Sequence, residues 1–368
     1  MKTDTVLNPS PAKGLARQSN LELYRIILML FIIAHHYVIN SSVWAVLNED
    51  PLSAPSLWLL ELCSYGKTGI NGFMLITGYF MCTSHITLRK YVKTLFACLF
   101  YSLVFFFIFV ISGYTPFSVV QFAKIFMPID GIASNFFGTY LMFFLFIPFL
   151  NILIQNISEK QHAWLVALTL FMYTILGTMP TVPVAMNYVS WYMVLYFIAS
   201  YIRLYPKEIF GRTKLWGWLT VLSVAATVAS VAVCTWIGVK LDRVFFDYFI
   251  SDCNKILALT NGLFSFLFFK NLKVRQSKVI NTVSGCVLGV LLIHTNGNVR
   301  PWLWEEVVRT KAMYGSPWMV GHVVLSCLLI FVICAAIEYL RIRFVEKQFL
   351  GFWDRHWGKT IKEKFGIS

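Results

Sequence analysis

Ten apolar runs, most of them close to twenty residues long, follow one another from Leu23 to Leu340, and no gap between them is large enough for a soluble domain. About 20 apolar residues in an α-helix cross the roughly 30 Å hydrocarbon layer of a bilayer. Within that layer only helices and closed barrels satisfy every backbone polar group. The runs are 23–40, 57–82, 91–112, 136–155, 163–180, 188–204, 215–239, 254–270, 280–298 and 318–340. The predicted fold is therefore an all-α integral membrane protein of about ten transmembrane helices. The least regular runs are 57–82, which contains Glu61 and Lys67, and 188–204, which is short. Only 13% of the 368 residues are charged, about half the usual share for a soluble domain. The first run is longer than a signal-peptide core and no small-residue cleavage site follows it, so it reads as a retained span.

Lysine and arginine fall unevenly on the two sides that alternate runs define. One side collects 22 of the 31, seven lie on the other, and Arg25 and Lys67 fall inside runs. The excess marks the cytoplasmic face, which places both termini in the cytosol. Residues 1–20 read as a flexible tail, 21–347 as one transmembrane domain and 348–368 as a basic cytoplasmic tail. The net charge of +14 is spent on this asymmetry. No basic stripe with interleaved aromatics exists to hold nucleic acid, and membrane lipids are the expected surroundings. The eight cysteines form no C-x-x-C pair and mostly sit in apolar runs, so they read as small buried residues with no metal site and no disulfide framework.

The first run carries what hydrocarbon should reject. Arg25 and His36 are eleven residues apart, a turn of about 1100° and a rise of about 16 Å on a helix. They share one face, with the guanidinium toward the cytosol and the imidazole past mid-bilayer, while His35 points about 80–100° away. Such groups usually face a bundle interior or a water-filled cavity. Glu22 lies three residues before Arg25 and can pair with it. A snorkelling arginine and a histidine bonded between helices are the structural alternatives. The functional one is a single channel in which Arg25 holds an anionic group and a neutral His36 serves as a base.

At these residues the chain resembles a known family. Asn20-Leu21-Glu22-Leu23-Tyr24-Arg25 followed by Ala34-His35-His36-Tyr37 is similar to the opening of the acyltransferase-3 family, bacterial integral-membrane enzymes that modify cell-surface polysaccharides. The family's first span carries an Arg and a His separated by ten residues, which Arg25 and His36 match. Gly69-Ile70-Asn71-Gly72-Phe73 with Thr77-Gly78-Tyr79-Phe80 resembles its second span, with Thr77 in place of a common Ser. Ile147-Pro148-Phe149-Leu150-Asn151 resembles the end of its fourth. Ser190-Trp191-Tyr192 with Tyr201-Ile202-Arg203-Leu204-Tyr205 resembles its sixth, Leu292-Ile293-His294-Thr295-Asn296 its ninth, and Val345-Glu346-Lys347 its C-terminal end. The likeness covers roughly residues 20–350 in order. It departs at Phe136-Phe137, where a Trp-Phe pair is usual, and at Thr295, where an Asp is frequent. No fused extracytoplasmic esterase-like module is expected after the last run.

The resemblance implies an O-acyltransferase of the bacterial inner membrane, most simply an O-acetyltransferase. It would use acetyl-CoA from the cytosol as co-substrate, hold no permanent cofactor, and act on a hydroxyl of a surface polysaccharide or its lipid-linked precursor. His36 would be general base or acyl carrier, with Arg25 and Glu22 in the catalytic group. Arg25 would also meet the donor, together with the basic cluster Arg89, Lys90 and Lys93 at the cytosolic mouth. The polar and aromatic residues inside later runs, Lys67, Asn71, Trp191, Tyr192, His294 and Asn296, are candidates for the acceptor. Lys67 could hold an oxyanion, His294 could bond His36, and Asn71 could equally be glue between helices. Two other functions fit the runs: a transporter or flippase of a lipid-linked glycan, and an acyltransferase for a small lipid or peptidoglycan.

Overall fold

The computed structural model describes residues 17–84, 86–127, 136–182 and 184–358, and among them every regular element is helical. Twelve segments position the site and its surroundings. They are α1 (Ser19–Ile39), α2 (Ala54–Ser64), α3 (Gly66–Met81), α4 (Leu88–Ile111), α5 (Phe136–Gln155), α6 (Glu159–Leu170), α7 (Tyr188–Leu204), α8 (Thr213–Leu241), α9 (Ile256–Asn271), α10 (Lys278–Gly285), α11 (Val287–His294) and α12 (Met319–Arg341). Nine of the ten expected runs fall on one of these helices or on two in succession, and run 163–180 begins on α6 and continues through a π-helical segment, Phe171–Leu176. The boundaries of 136–155 and 188–204 are met to the residue.

Among the described residues five helices are long and apolar enough to cross a membrane: α1, α4, α5, α8 and α12 with its continuation. A sixth is reached if 278–294 and 299–313, bent by 92°, count together. The remaining runs fall short for visible reasons. Run 57–82 breaks at Tyr65 into α2 and α3, run 280–298 breaks at Cys286 and ends at His294, and α9 has only 16 residues.

Helix α1 is the hub, in contact with α2, α3, α9, α10, α11 and α12. Helix α3 approaches it through glycine. A Cβ on Gly69 would come within 2.7 Å of the Ile32 side chain, and one on Gly66 within 2.3 Å of the His35 ring. Small residues let two backbones come together where no hydrophobic effect drives helices to associate. The outward surfaces of α4, α8 and α12 are apolar, with Ile111, Leu222 and Val332 exposed, as lipid-facing helices require.

The expected tails are tied down where the described residues reach them; residues 1–16 and 359–368 lie outside. At the N-terminal end Ser19 bonds Asn281 (2.9 Å) and Asn20 bonds two carbonyls at the end of α9. At the other end α12 runs on without a break through a π-helical turn and a further helix to Gly358. What holds it is ionic: Lys93 pairs with Glu346 (2.8 Å) and Arg89 with Asp354 (2.8 Å).

Candidate active site

Helix α11 ends on a histidine because the residues after it, Thr295 to Asn298, are polar or glycine and turn the chain. The side chain of His294, fully buried, bonds the Val290 carbonyl at 2.6 Å through Nδ1. A carbonyl only accepts, so Nδ1 carries the proton and Nε2 of the neutral ring is left as an acceptor. His36 Nδ1 lies 2.9 Å from that Nε2 and must donate to it. The lone pair of His36 is thereby placed on Nε2. Residues 258 positions apart set the tautomer of one imidazole.

His36 lines a cavity of about 660 Å³. Lys67, at the start of α3, lines it too and is held from behind: its ammonium donates to the Tyr188 hydroxyl (2.5 Å) and lies 3.5 Å from Asp252, to which Tyr188 also donates (2.8 Å). Tyr192, one turn along α7 from Tyr188, contributes a hydroxyl that is buried and has no partner among the described residues. Asn296 and Arg300 complete the polar wall. His35 bonds the Cys63 carbonyl and lines the same space.

Arg25 stands apart. Glu22 pairs with it at 3.1 Å and is itself fixed by the Ser284 hydroxyl at 2.5 Å. The i, i+3 pair foreseen in the sequence is present. The single channel joining Arg25 to His36 is not seen among the described residues: the wall of the cavity includes Ile32 but not Arg25. The glycine face of α3 presses on Ile32, Leu28 and Tyr24, closing the groove along which the two would meet. An aromatic pair links the two regions. Phe136 lines the cavity and packs on Tyr140 at 6.2 Å, and Tyr140 lies within electrostatic range of Arg25.

The other expected residues divide. Asn71 and Trp191 are fully buried against each other: Trp191 donates to Asn71 Oδ1 (2.9 Å), and Asn71 donates to the Cys253 carbonyl (2.7 Å). Neither lines the cavity, so α3, α7 and the turn before α9 are joined there by a satisfied polar bridge. Arg89 and Lys93 are about half exposed and already face carboxylates, and Lys90 is also engaged. Three residues at the site had no motif to announce them. Tyr188 and Asp252 lie 64 positions apart and meet only across the fold, and Arg300 follows a loop.

A family model described as an acyltransferase domain, that of the acyltransferase-3 family, matches residues 18–339. The chain belongs to the acyltransferase-3 family. Searches of curated proteins and of solved structures return no match. Membership makes this apolar helical protein a membrane acyltransferase, and it places the His36–His294 pair, the cavity and Arg25 all within the acyltransferase-3 domain.

Proposed function

We propose that this acyltransferase moves an acetyl group from acetyl-CoA to a sugar hydroxyl of a surface polysaccharide or its lipid-linked precursor, in the cytoplasmic membrane of a bacterium. The observation that carries the reading is the ordered chain Val290 carbonyl–His294–His36, which puts a lone pair on His36 Nε2 beside a cavity large enough for a sugar. In this reading the acceptor hydroxyl enters the cavity and gives its proton to Nε2 as its oxygen attacks the thioester carbonyl. The C–S bond then breaks, and the imidazolium returns the proton to the departing thiolate. Lys67, held by Tyr188 and Asp252, and the Tyr192 hydroxyl are the donors for the tetrahedral oxyanion.

The charge asymmetry puts the donor on the opposite side, toward Arg25. Arg25 keeps guanidinium nitrogens beyond its pair with Glu22, and it suits a phosphate or pantetheine carbonyl. The pantetheine arm reaches Nε2 by displacing Phe136 and Tyr140. At the mouth, Arg89 and Lys93 exchange carboxylates of the C-terminal helix for donor phosphates. The Arg89–Asp354 pair is exposed on both sides and holds only about 0–1 kcal/mol, and Glu346, which is buried, keeps Arg341 as a partner when Lys93 leaves it.

The test is transfer of labelled acetyl from acetyl-CoA in vesicles prepared from the parent bacterium. His36→Ala should abolish transfer while the protein still inserts and elutes as the wild type does in detergent. Full transfer by that variant would remove the proposal. If Nε2 instead carries the acetyl group between donor and acceptor, acid quenching should trap an acetyl-protein that His36→Ala lacks.

A further inference from the structure

Past the end of α4 the chain doubles back. Gly113 takes a φ of +74°, a conformation open to glycine, and the Thr115 amide returns to the Phe109 carbonyl (3.1 Å). Ser118 then caps the helix Val119–Ile125 by accepting from the Gln121 amide. The rings of Phe117 and Phe122 pack on Phe106 at 5.8 and 5.7 Å, and Phe122 also meets Phe107 at 6.1 Å. Those contacts fix the depth of the segment. Lys93, the last of the basic cluster on α4, and Ile111 are 18 residues apart, about 27 Å along the axis, close to the roughly 30 Å of a hydrocarbon layer. Ile111, 82% exposed, therefore stands near the far edge of that layer, and Phe106 lies about 7.5 Å below it. A helix lying in a membrane interface buries its apolar face about 5–10 Å deep. The segment sits at that depth.

Its two sides differ. Val119 and Val120 are 70% and 66% exposed, and Phe117 and Phe126 are exposed with them, as are Phe107 and Ile108 on the neighbouring α4. Large apolar side chains grouped in this way form a surface for lipid. From the same segment Lys124, Ile125 and Met127 line the His36 cavity. Ser102 and Cys98 on α4 line it too, about 14 and 20 Å below Ile111, so the cavity runs from the membrane surface to mid-bilayer.

We infer that residues 117–127 rest in the leaflet opposite the cytosol as one wall of the His36 cavity, so that the acceptor offers its hydroxyl from a lipid of that leaflet. The role of the acceptor rests on the acyl-transfer reading; the seat of the segment in lipid does not. A hydroxyl on its way to Nε2 passes headgroup depth, where a glycan on a lipid anchor is held and a free polymer is not. The anchor acts as a tether, which raises the effective concentration at the site to the order of millimolar.

Two measurements on the full-length protein test this. The first places a bimane label on Val120→Cys in a Cys98→Ser background, the other seven cysteines being buried. In nanodiscs, lipids brominated in the upper acyl chain should quench it at least about twofold more than a label on Asp50→Cys, in an exposed polar loop. Aqueous iodide should show the reverse order. The second is a brief pulse of labelled acetyl-CoA in vesicles of the parent bacterium. Label should appear first in glycan that extracts into chloroform–methanol, and only later in water-soluble polymer. Val120→Asp, a charge on the lipid side, should lower that transfer at least about tenfold, and Val120→Phe should leave it within about twofold. If Val120→Asp elutes as aggregate, the quenching and the pulse decide without it. Quenching at Val120 by iodide and not by lipid overturns the inference, and so does quenching by neither, which would assign the face to a protein contact. Label in water-soluble polymer from the first time point, or wild-type transfer by folded Val120→Asp, overturns it as well. Lipid quenching in a protein that transfers no acetyl group would leave the segment in the leaflet and remove the acyl-transfer reading instead.

Discussion

Replacing His294 by phenylalanine isolates the feature on which the proposed chemistry depends. The substitution keeps an aromatic ring in a fully buried position and removes the acceptor that His36 Nδ1–H uses at 2.9 Å. The variant loses on two counts. The hydrogen bond itself contributes about 1 kcal/mol, and an N–H left without a partner in a buried site costs about 1–3 kcal/mol. His36 escapes that cost by moving its proton to Nε2 or by turning its ring, and either change takes the lone pair away from the cavity. A combined bias of about 2–4 kcal/mol against the productive form lowers kcat by about 30- to 1000-fold. His294→Gln keeps an oxygen acceptor and should fall by less than about tenfold. Because His294 acts through His36, the loss should appear in kcat with KM for acetyl-CoA little changed. The assay is acetyl transfer at saturating and limiting donor, on protein first shown to be monodisperse in detergent. His294→Phe within twofold of wild type, or Gln and Phe equally impaired, would refute the tautomer argument.

The packing makes three further expectations. Gly66→Ala brings a methyl group within 2.3 Å of the His35 ring and should destabilise by about 1–3 kcal/mol of overpacking, lowering the melting temperature in detergent and activity together. Asn71→Leu orphans the Trp191 Nε1–H and the Cys253 carbonyl. At about 1–3 kcal/mol for each buried group, it should lower the melting temperature more than it changes KM for either substrate. Arg341 is buried between Glu338 (2.6 Å) and Glu346 (2.6 Å), so Arg341→Met leaves the buried Glu338 carboxylate without its cation and Glu346 with Lys93 alone, and should cost about 3–5 kcal/mol. Arg89→Met, at an exposed pair, should change thermal stability by less than about 1 kcal/mol. If both variants melt alike, the buried network contributes nothing special.

The helices were largely legible because the signal is local. A run of about twenty apolar residues has few folds open to it, and boundaries such as 136–155 follow from where that run stops. The break at Tyr65 and the short α9 were harder to read, since glycine and polar residues inside an apolar run serve both kinked and continuous helices. The position of His36, the Glu22–Arg25 pair and the family motifs were also readable, the first two from helical geometry alone. Asn71 and Trp191 show the opposite case. A polar or aromatic side chain in a span looks the same in sequence whether it meets a ligand or another helix.

Local chain geometry was enough to say which segments are helical and which residues share a face of one helix, because 3.6 residues per turn needs no tertiary contact. It took the packed helices to bring His294 onto His36, to steady Lys67 with Asp252 and Tyr188, and to set Ile32 between Arg25 and the cavity. Those facts depend on which helices touch and at what height. That is governed by close packing of small residues such as Gly66 and Gly69, and by the need of every buried polar group for a partner.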